Sequence, residues 1–495
     1  MVKKSQNNKP TEEFETYQEF IQEVSSEDEV EEEDQPSTTP TLEKLADAKS
    51  KLESKNYKTG VRKLLKVFKG VVDGKEELEL EVYEQVVTTA LTELPRIFRK
   101  KLGKKLDKSK SWKALKREFK AFVAKVLSLM KQVKEPNLLD LIFKALIKIM
   151  KLMQLASEYT RNIMKNTAKL WGEASRPTKL VCFKFLRKCL VKDSFDKIET
   201  LKSMYLSFAR NSRFMSWDNY ETVDLLRNCF IDALTIDESA SYQVVFTYLR
   251  QLSFYLSQVI KHPNTEKVKA VYNWTFLNSL LLLGQSILHN AFLKELTYPL
   301  VQISLGVLQV TNMPKFFPLK LHLIRLLISI QASTGTYIPG VTPHLLEMLE
   351  SPFILKRSKT QRLKAYSFIV SIKASKEQLS SDVYKEGLVQ EATDALIEHL
   401  ASHAKNLAFP EIILPIRITL KRHSKNIKNP TIRGKILQAL KVIQENADWL
   451  EKTRNKLQST PVNPKQIQDE APITTHSQRI LHQRQEVIKS FLHSS

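Results

Sequence analysis

FFPLKLHLIRLLISIQASTGTYIPGVTPHLLEML, residues 316–349, decides the fold class. Phe317, Leu321, Ile324, Leu327 and Ile328 recur at spacings of three and four, which places them on one side of an α-helix. Pro318 falls in the first turn, where a missing N–H costs nothing. Thr334 to Pro339 reads as a turn, with Gly335 as the left-handed residue that ends the preceding helix. Helix, turn, helix is the unit, and period-two strand alternation is not sustained anywhere in the chain.

The same spacing extends outward. Val61, Leu64, Leu65, Phe68, Val71 and Val72 form one stripe, and Tyr83, Val86, Val87, Ala90, Leu91 and Leu94 another that is expected to end at Pro95. Further stripes run from Phe119 to Met130 and from Leu138 to Met153. Pro177, Pro263, Pro314, Pro339, Pro352, Pro410 and Pro430 punctuate the rest. Many amphipathic helices without strands predict an all-α fold, an irregular α-solenoid of HEAT/armadillo-like stacked helix pairs. No fixed sequence period is evident, so this rests on helix density, and a compact irregular bundle is the alternative. The expected organisation is a disordered acidic tail over 1–40, a basic helical region over 41–160, a helical-repeat domain over 161–455, and a linker with a short helix over 456–495. The final helix, Ser477 to Leu492, is expected to stand alone, to dock on a partner or to fray.

Composition narrows function. Only 11 of 495 residues are glycine, too few for folds whose loops cradle phosphates by close backbone approach. The net charge is +23. Residues 1–40 carry three lysines against twelve Asp and Glu, a net −9, so the remaining residues carry +32. A surface this basic gains by releasing counterions from a polyanion. Ser25 and Ser26 precede the run EDEVEEED and are candidate sites for an acid-directed kinase. Cys182, Cys189 and Cys229 lack metal or disulfide spacing and read as buried apolar residues of a reducing compartment. The amino terminus lacks the apolar segment of a signal peptide, and the uncharged stretch 270–293 reads as a buried core helix, so no membrane association is expected.

Catalytic constellations are missing. Gly70 to Glu76 is one residue short of a P-loop and has Glu76 where a magnesium-binding hydroxyl is required. His399 and His403 have metal-ligand spacing, but the residues between them are Leu-Ala-Ser and no third ligand is near in sequence. No nucleophile elbow is present. The chain is expected to be no enzyme and to need no metal, cofactor or small-molecule substrate.

Positive charge concentrates in three segments. The first, 99–120, supplies the candidate nucleic-acid contacts Arg99, Lys100, Lys101, Lys104, Lys105 and Lys110, with Trp112 as the start of a helix. The second is Lys356 to Lys364, and the third supplies Arg417, Lys421, Arg422, Lys425 and Lys428. Such clusters suit phosphate contacts, which give affinity with little sequence choice.

The sequence also resembles the nucleolar complex protein 2 family. The likeness is carried by RNSRFMSWDN at 210–219, SYQVVFTYLRQLSFYL at 241–256, VYNWTFLNSLLLL at 271–283, YPLVQISLGVLQ at 298–309 and the opening stretch. It continues through YKEGLVQEATDAL at 384–396 and FPEIILPIRITLK at 409–421. The resemblance implies a helical-repeat factor of the nucleolus and nucleoplasm, paired with the first or the third nucleolar complex protein. It implies work on pre-60S particles and pre-rRNA, supporting their maturation and intranuclear transport. A nuclear transport adaptor of similar architecture is the alternative, and it fits a strongly basic body less well. The chain departs from the family pattern at both ends, with a short acidic tail and a brief C-terminal extension.

Overall fold

The computed structural model describes residues 41–53, 57–74, 80–102, 110–192, 195–262, 264–310, 312–355, 366–456 and 470–494. Ser25, Ser26, Lys104, Lys105 and the second basic segment lie outside them, as does the acidic tail. Among the described residues every regular element is helical. The chain forms two compact units, Met1–Val86 and Val87–Ser495.

In the first unit, α1 (Thr41–Glu53) packs on α2 (Tyr57–Val72). Gly60 is what lets them approach, since a Cβ there would stand 2.8 Å from the Leu52 backbone nitrogen. Asp47 bridges the pair, accepting from Lys51 and Lys63, and these contacts hold its carboxyl below the usual range. Gly74, at φ +67°, follows α2 as a turn residue.

The unit boundary falls within α3 (Leu80–Leu102), which corrects the expected stop at Pro95. An interior proline removes a backbone hydrogen bond and costs about 3 kcal/mol. The turn beyond it contributes more. Ile97 and Phe98 are buried, and Phe98 meets Phe119 and Phe122 at centroid distances of 5.4 and 5.7 Å. Burying two such side chains stabilises by about 3–6 kcal/mol.

There follow α4 (Lys110–Gln132), α5 (Pro136–Lys148), a 3-10 segment (Met150–Ala156), α6 (Ser157–Glu173) and α7 (Arg176–Leu190). Next come α8 (Lys197–Asn211), α9 (Trp217–Leu234), α10 (Glu238–Lys261), α11 (Thr265–Val271) and α12 (Trp274–His289). The series continues with α13 (Thr297–Gln309), α14 (Phe317–Thr334), α15 (Val341–Leu349), α16 (Pro352–Leu355) and α17 (Lys376–Leu379). It closes with α18 (Asp382–Ala401), α19 (Phe409–Asn426), α20 (Pro430–Lys456) and α21 (Pro472–Ser494).

Local chemistry sets these boundaries. Asp196, Asp237 and Asn273 cap α8, α10 and α12, each accepting from the N–H three residues on. Proline opens α5, α7, α14 and α19. Gly335 ends α14 at φ +67°, its N–H donating to Gln331 O at 2.8 Å, as the opening stretch of sequence requires. The five apolar residues of that stretch are all buried. The uncharged stretch 270–293 is the buried core helix α12. Pro314–Thr334 is long and apolar enough to cross a membrane, but 67 % of that window is buried against neighbouring helices.

From α5 to α10, alternate helices run parallel at offsets of 39 to 45 residues. Gly172 lies against Asn211 while the Ser207 hydroxyl donates to Ala168 O, so α6 and α8 share an offset of 39 residues. Arg176 pairs with Glu221 and Arg187 with Asp232, an offset of 45 between α7 and α9. Thr178 bonds Lys134 O and Phe185 stacks on Phe143 at 4.5 Å, which sets α5 beside α7. Lys197 pairs with Asp237 and Tyr205 stacks on Tyr248, which sets α8 beside α10. These offsets belong to this stretch; α14 and α18 pack at 66 to 73 residues. They are carried by contacts, which is why no sequence period was evident.

The last helix departs from expectation. It begins at Pro472, earlier than Ser477, and it is not isolated. It packs on α18, α20 and α9, with Phe491 stacked on Trp217 at 4.5 Å. Ile473 is fully buried there.

The three cysteines are buried. Burial pushes the Cys182 thiol up to about 12 and Cys229 to about 11, and raises Cys189 as well. At pH 8 a thiol at about 12 is thiolate in on the order of one molecule in 10⁴, and one at about 11 in roughly one in 10³. A thiol-reactive dye is therefore expected to label none of the three in the folded protein and all three in guanidinium; rapid stoichiometric labelling without denaturant would contradict this.

Candidate nucleic-acid interface

Within the second unit the C-terminal part of α3, the end of α5 with the 3-10 segment after it, and the C-terminal part of α7 border one groove of about 1130 Å³. Packing beneath fixes these pieces. Phe98 anchors α3 to the core, and the stacked pair Phe143 and Phe185 locks α5 to α7. Because α5 and α7 are parallel, both present their C-terminal ends.

The walls are cationic. Arg96, Arg99 and Lys100 come from α3, Lys148 and Lys151 from the middle segment, and Lys184, Arg187, Lys188 and Lys192 from α7 and the turn after it. All nine are exposed, and among the described residues no carboxylate lines the groove. Ile147, Met150, Leu152 and Val191 supply its apolar part.

A helix C-terminus favours basic residues for its own sake, since the macrodipole places roughly −0.5 charge there. Three helix ends supply about −1.5. Nine cations exceed that several-fold. Two are further offset, Arg96 by Glu93 at 2.7 Å and Arg187 by Asp232 at 2.8 Å. Among the described residues, Arg99, Lys100, Lys148, Lys151, Lys184, Lys188 and Lys192 have no carboxylate within ion-pair distance. The groove is thus a concentrated positive field over an apolar floor, suited to a polyanion.

Buried cations elsewhere do different work. Lys179 donates to Gly172 O at 2.9 Å and to Ala174 O, capping α6, and burial lowers its pKa. Lys320, fully buried, reaches Asn312 Oδ1 at 3.1 Å and Glu347 at 3.4 Å.

Of the sequence-derived residues, Arg99 and Lys100 line the groove and Lys101 is exposed on the same helical turn. Lys110 lies in α4, where its side chain is not described, and the same holds for Trp112. Arg417, Lys421, Arg422, Lys425 and Lys428 are exposed on α19 and the turn beyond it, apart from the groove lining, and Arg417 donates to Gln444 at 2.7 Å. Sequence reading missed Arg96, Lys148, Lys151 and the four cations of α7. The readable signal was FKFLRKCLVK at 183–192, whose Lys184, Lys188 and Lys192 recur every four residues on one helix face.

His399 and His403 pack about one aromatic ring, that of Tyr337, with both centroids at 5.3 Å. His399 Nε2 lies 3.1 Å from Thr342 Oγ1, and burial holds its pKa down to about 4, so the ring is neutral and structural.

A profile of the Noc2p family matches residues 197–478. The chain is 30 % identical over 356 residues to "Nucleolar complex protein 2" of Drosophila melanogaster, covering 71 % of this chain and 46 % of that protein. It is 26 % identical over 445 residues to "Nucleolar complex-associated protein 2" of Arabidopsis thaliana, covering 84 % of this chain and 58 % of that one. A NOC2 family protein of Schizosaccharomyces pombe is 24 % identical over 449 residues, 84 % of this chain and 63 % of its own length. The chain therefore spans about half to two thirds of the length of these relatives.

Proposed function

The chain belongs to the Noc2p family, and from that premise we propose that it is a non-enzymatic nucleolar factor for assembly of the large ribosomal subunit. The family match over residues 197–478 is the observation that carries this reading. The relatives named for a nucleolar complex support a site of action in the nucleolus, extending to the nucleoplasm as particles mature. The protein acts on pre-60S particles as a scaffold of stacked helix pairs, one half of a heterodimer with another helical-repeat nucleolar complex protein, the first or the third of the set. The parallel offsets of 39 to 45 residues support the repeat architecture. Phe246 and Phe254, on α10 at 47 % and 49 % exposure, support a protein partner, because exposed aromatic residues mark binding surfaces. The net charge of +23 supports contact with pre-rRNA.

Affinity purification of the full chain from nuclear extract tests this. The expected eluate contains one helical-repeat protein in about equal amount, together with precursor RNA of the large subunit. Recovery of neither, or release by a GTP-bound small GTPase with binding to Phe-Gly repeats, would replace this reading with a transport adaptor.

A further inference from the structure

We propose that the groove between α3, α5 and α7 holds a single unpaired strand of RNA by its sugar-phosphate backbone, without preference for base sequence. The inference deepens the assembly-factor reading by assigning a ligand to a specific site.

Three features identify the occupant. The first is size. The groove, of about 1130 Å³, is bordered by pieces of three separate elements and has room for a segment of polymer. The second is charge. Seven cations without carboxylate partners, and two more with them, face it from three separate elements. Lys184 and Lys188 stand about one helical turn apart near the end of α7 and Lys192 in the bend just after it, a file of three lysines on one border of the groove. Counterion release from such a file favours nucleic acid over a less densely charged acidic peptide.

The third feature is the lining itself. Ile147, Met150, Leu152 and Val191 offer apolar surface within the recess, which an unpaired strand can cover with sugar and base. A duplex keeps its bases paired inside and turns phosphates outward, so it gains less from that apolar surface. Among the described residues no aromatic ring lines the groove to offer the stacking that single-strand binders otherwise use. Affinity therefore comes from the backbone, and sequence is not read.

The test is titration of the purified full chain with labelled oligo-U and oligo-A of equal length across a salt series. K184Q/K188Q/K192Q removes the α7 file, and K376Q/K441Q/K452Q removes three exposed charges elsewhere. Circular dichroism confirms that both variants stay folded. Wild-type protein is expected to bind the two oligomers within about threefold of one another, and an RNA duplex of the same length more weakly. The groove variant is expected to lose roughly tenfold in affinity at 0.15 M salt, with the slope of log K against log salt shallower by about 2, since each single-strand phosphate contact contributes about 0.7. The distal variant keeps most of the affinity and its slope is distinctly steeper than that of the groove variant.

Equal losses in the two variants, wild-type binding by the groove variant, or tighter binding of duplex would overturn the proposal. So would competition by poly-glutamate as strong as that by RNA at equal charge, which would make an acidic protein segment the occupant. If any of these occurs while the chain still recovers large-subunit precursors from extract, the groove assignment fails and the assembly reading stands.

Discussion

Arg325→Met is expected to destabilise the fold by about 3–5 kcal/mol at neutral pH, and by clearly less near pH 5. Arg325 sits on α14, 14 % exposed, with its guanidinium between carboxylates of α18. It donates to Glu391 at 2.5 Å and to Glu398 at 3.2 Å. Asp394 lies on the same face of α18, bonded to Gln390 at 2.8 Å and within the electrostatic reach of Arg325. Burial, opposed by the Gln390 hydrogen bond and reinforced by Glu391, holds Asp394 up to about 6. Burial also raises Glu398, against the pull of Arg325.

The sign follows from those directions. A carboxyl whose folded pKa is raised binds its proton more tightly in the native state. Its contribution is fully present below the unfolded value, near 4, and is lost as pH rises through the folded value, near 6 for Asp394. Arg325 limits that loss by compensating the charges that form. Without it Glu398, at 7 % side-chain exposure, becomes a buried uncompensated anion when it ionises and is neutralised in acid. Urea unfolding of wild type and variant between pH 5 and 8 would show a stability gap that widens with pH. A gap below about 1 kcal/mol, or one independent of pH, would refute the account. Arg325→Met with Glu398→Leu should recover part of the loss, because the stranded charge is gone.

Gly172→Ala should cost about 2–4 kcal/mol, against the usual gain of about 1 kcal/mol when alanine replaces a helical glycine. A Cβ at position 172 would stand 2.2 Å from Ser207 Oγ and 2.3 Å from Asn211 Nδ2. Those groups are committed. The Ser207 hydroxyl donates to Ala168 O at 2.7 Å, and Asn211 donates to Ser207 O at 2.8 Å. Moving them separates α6 from α8 or strands a buried hydroxyl, at about 1–3 kcal/mol. Gly284→Ala offers the contrast. Its Cβ would meet Leu326 Cδ1 at 2.6 Å, the end of a flexible side chain that can turn away. That substitution should fall within about 1 kcal/mol of wild type. Equal thermal shifts for the two variants would show that the α6–α8 contact is not the constraint.

Legibility was uneven for physical reasons. The stripe in residues 316–349 gave α14, its buried face and the left-handed Gly335 outright, because helix period, proline and glycine act locally. Pro95 misled, because the local penalty is overridden by burial of Phe98, a contact 21 residues away in sequence. The carboxy-terminal helix was legible, but its seat on Trp217 was not, since nothing near residue 491 records residue 217. For the groove, the crowded run at Arg99 and Lys100 stood out in sequence. Lys148 and Lys151 are spread among apolar neighbours, and no density of charge marks them; Lys184 belongs to the run at 183–192, which alone does not say what it faces.

The sequence by itself determined an all-helical chain, the buried face and the close of α14, the buried thiols and a strongly basic body. Each of these follows from residues within a turn or two of one another, or from composition summed over the whole. Only the tertiary structure decided which helices run side by side and at what offset, and that three helix ends from residues 96 to 192 surround one groove. An electrostatic site depends on distance through space, and the chain separates by tens of residues the charges that packing brings together.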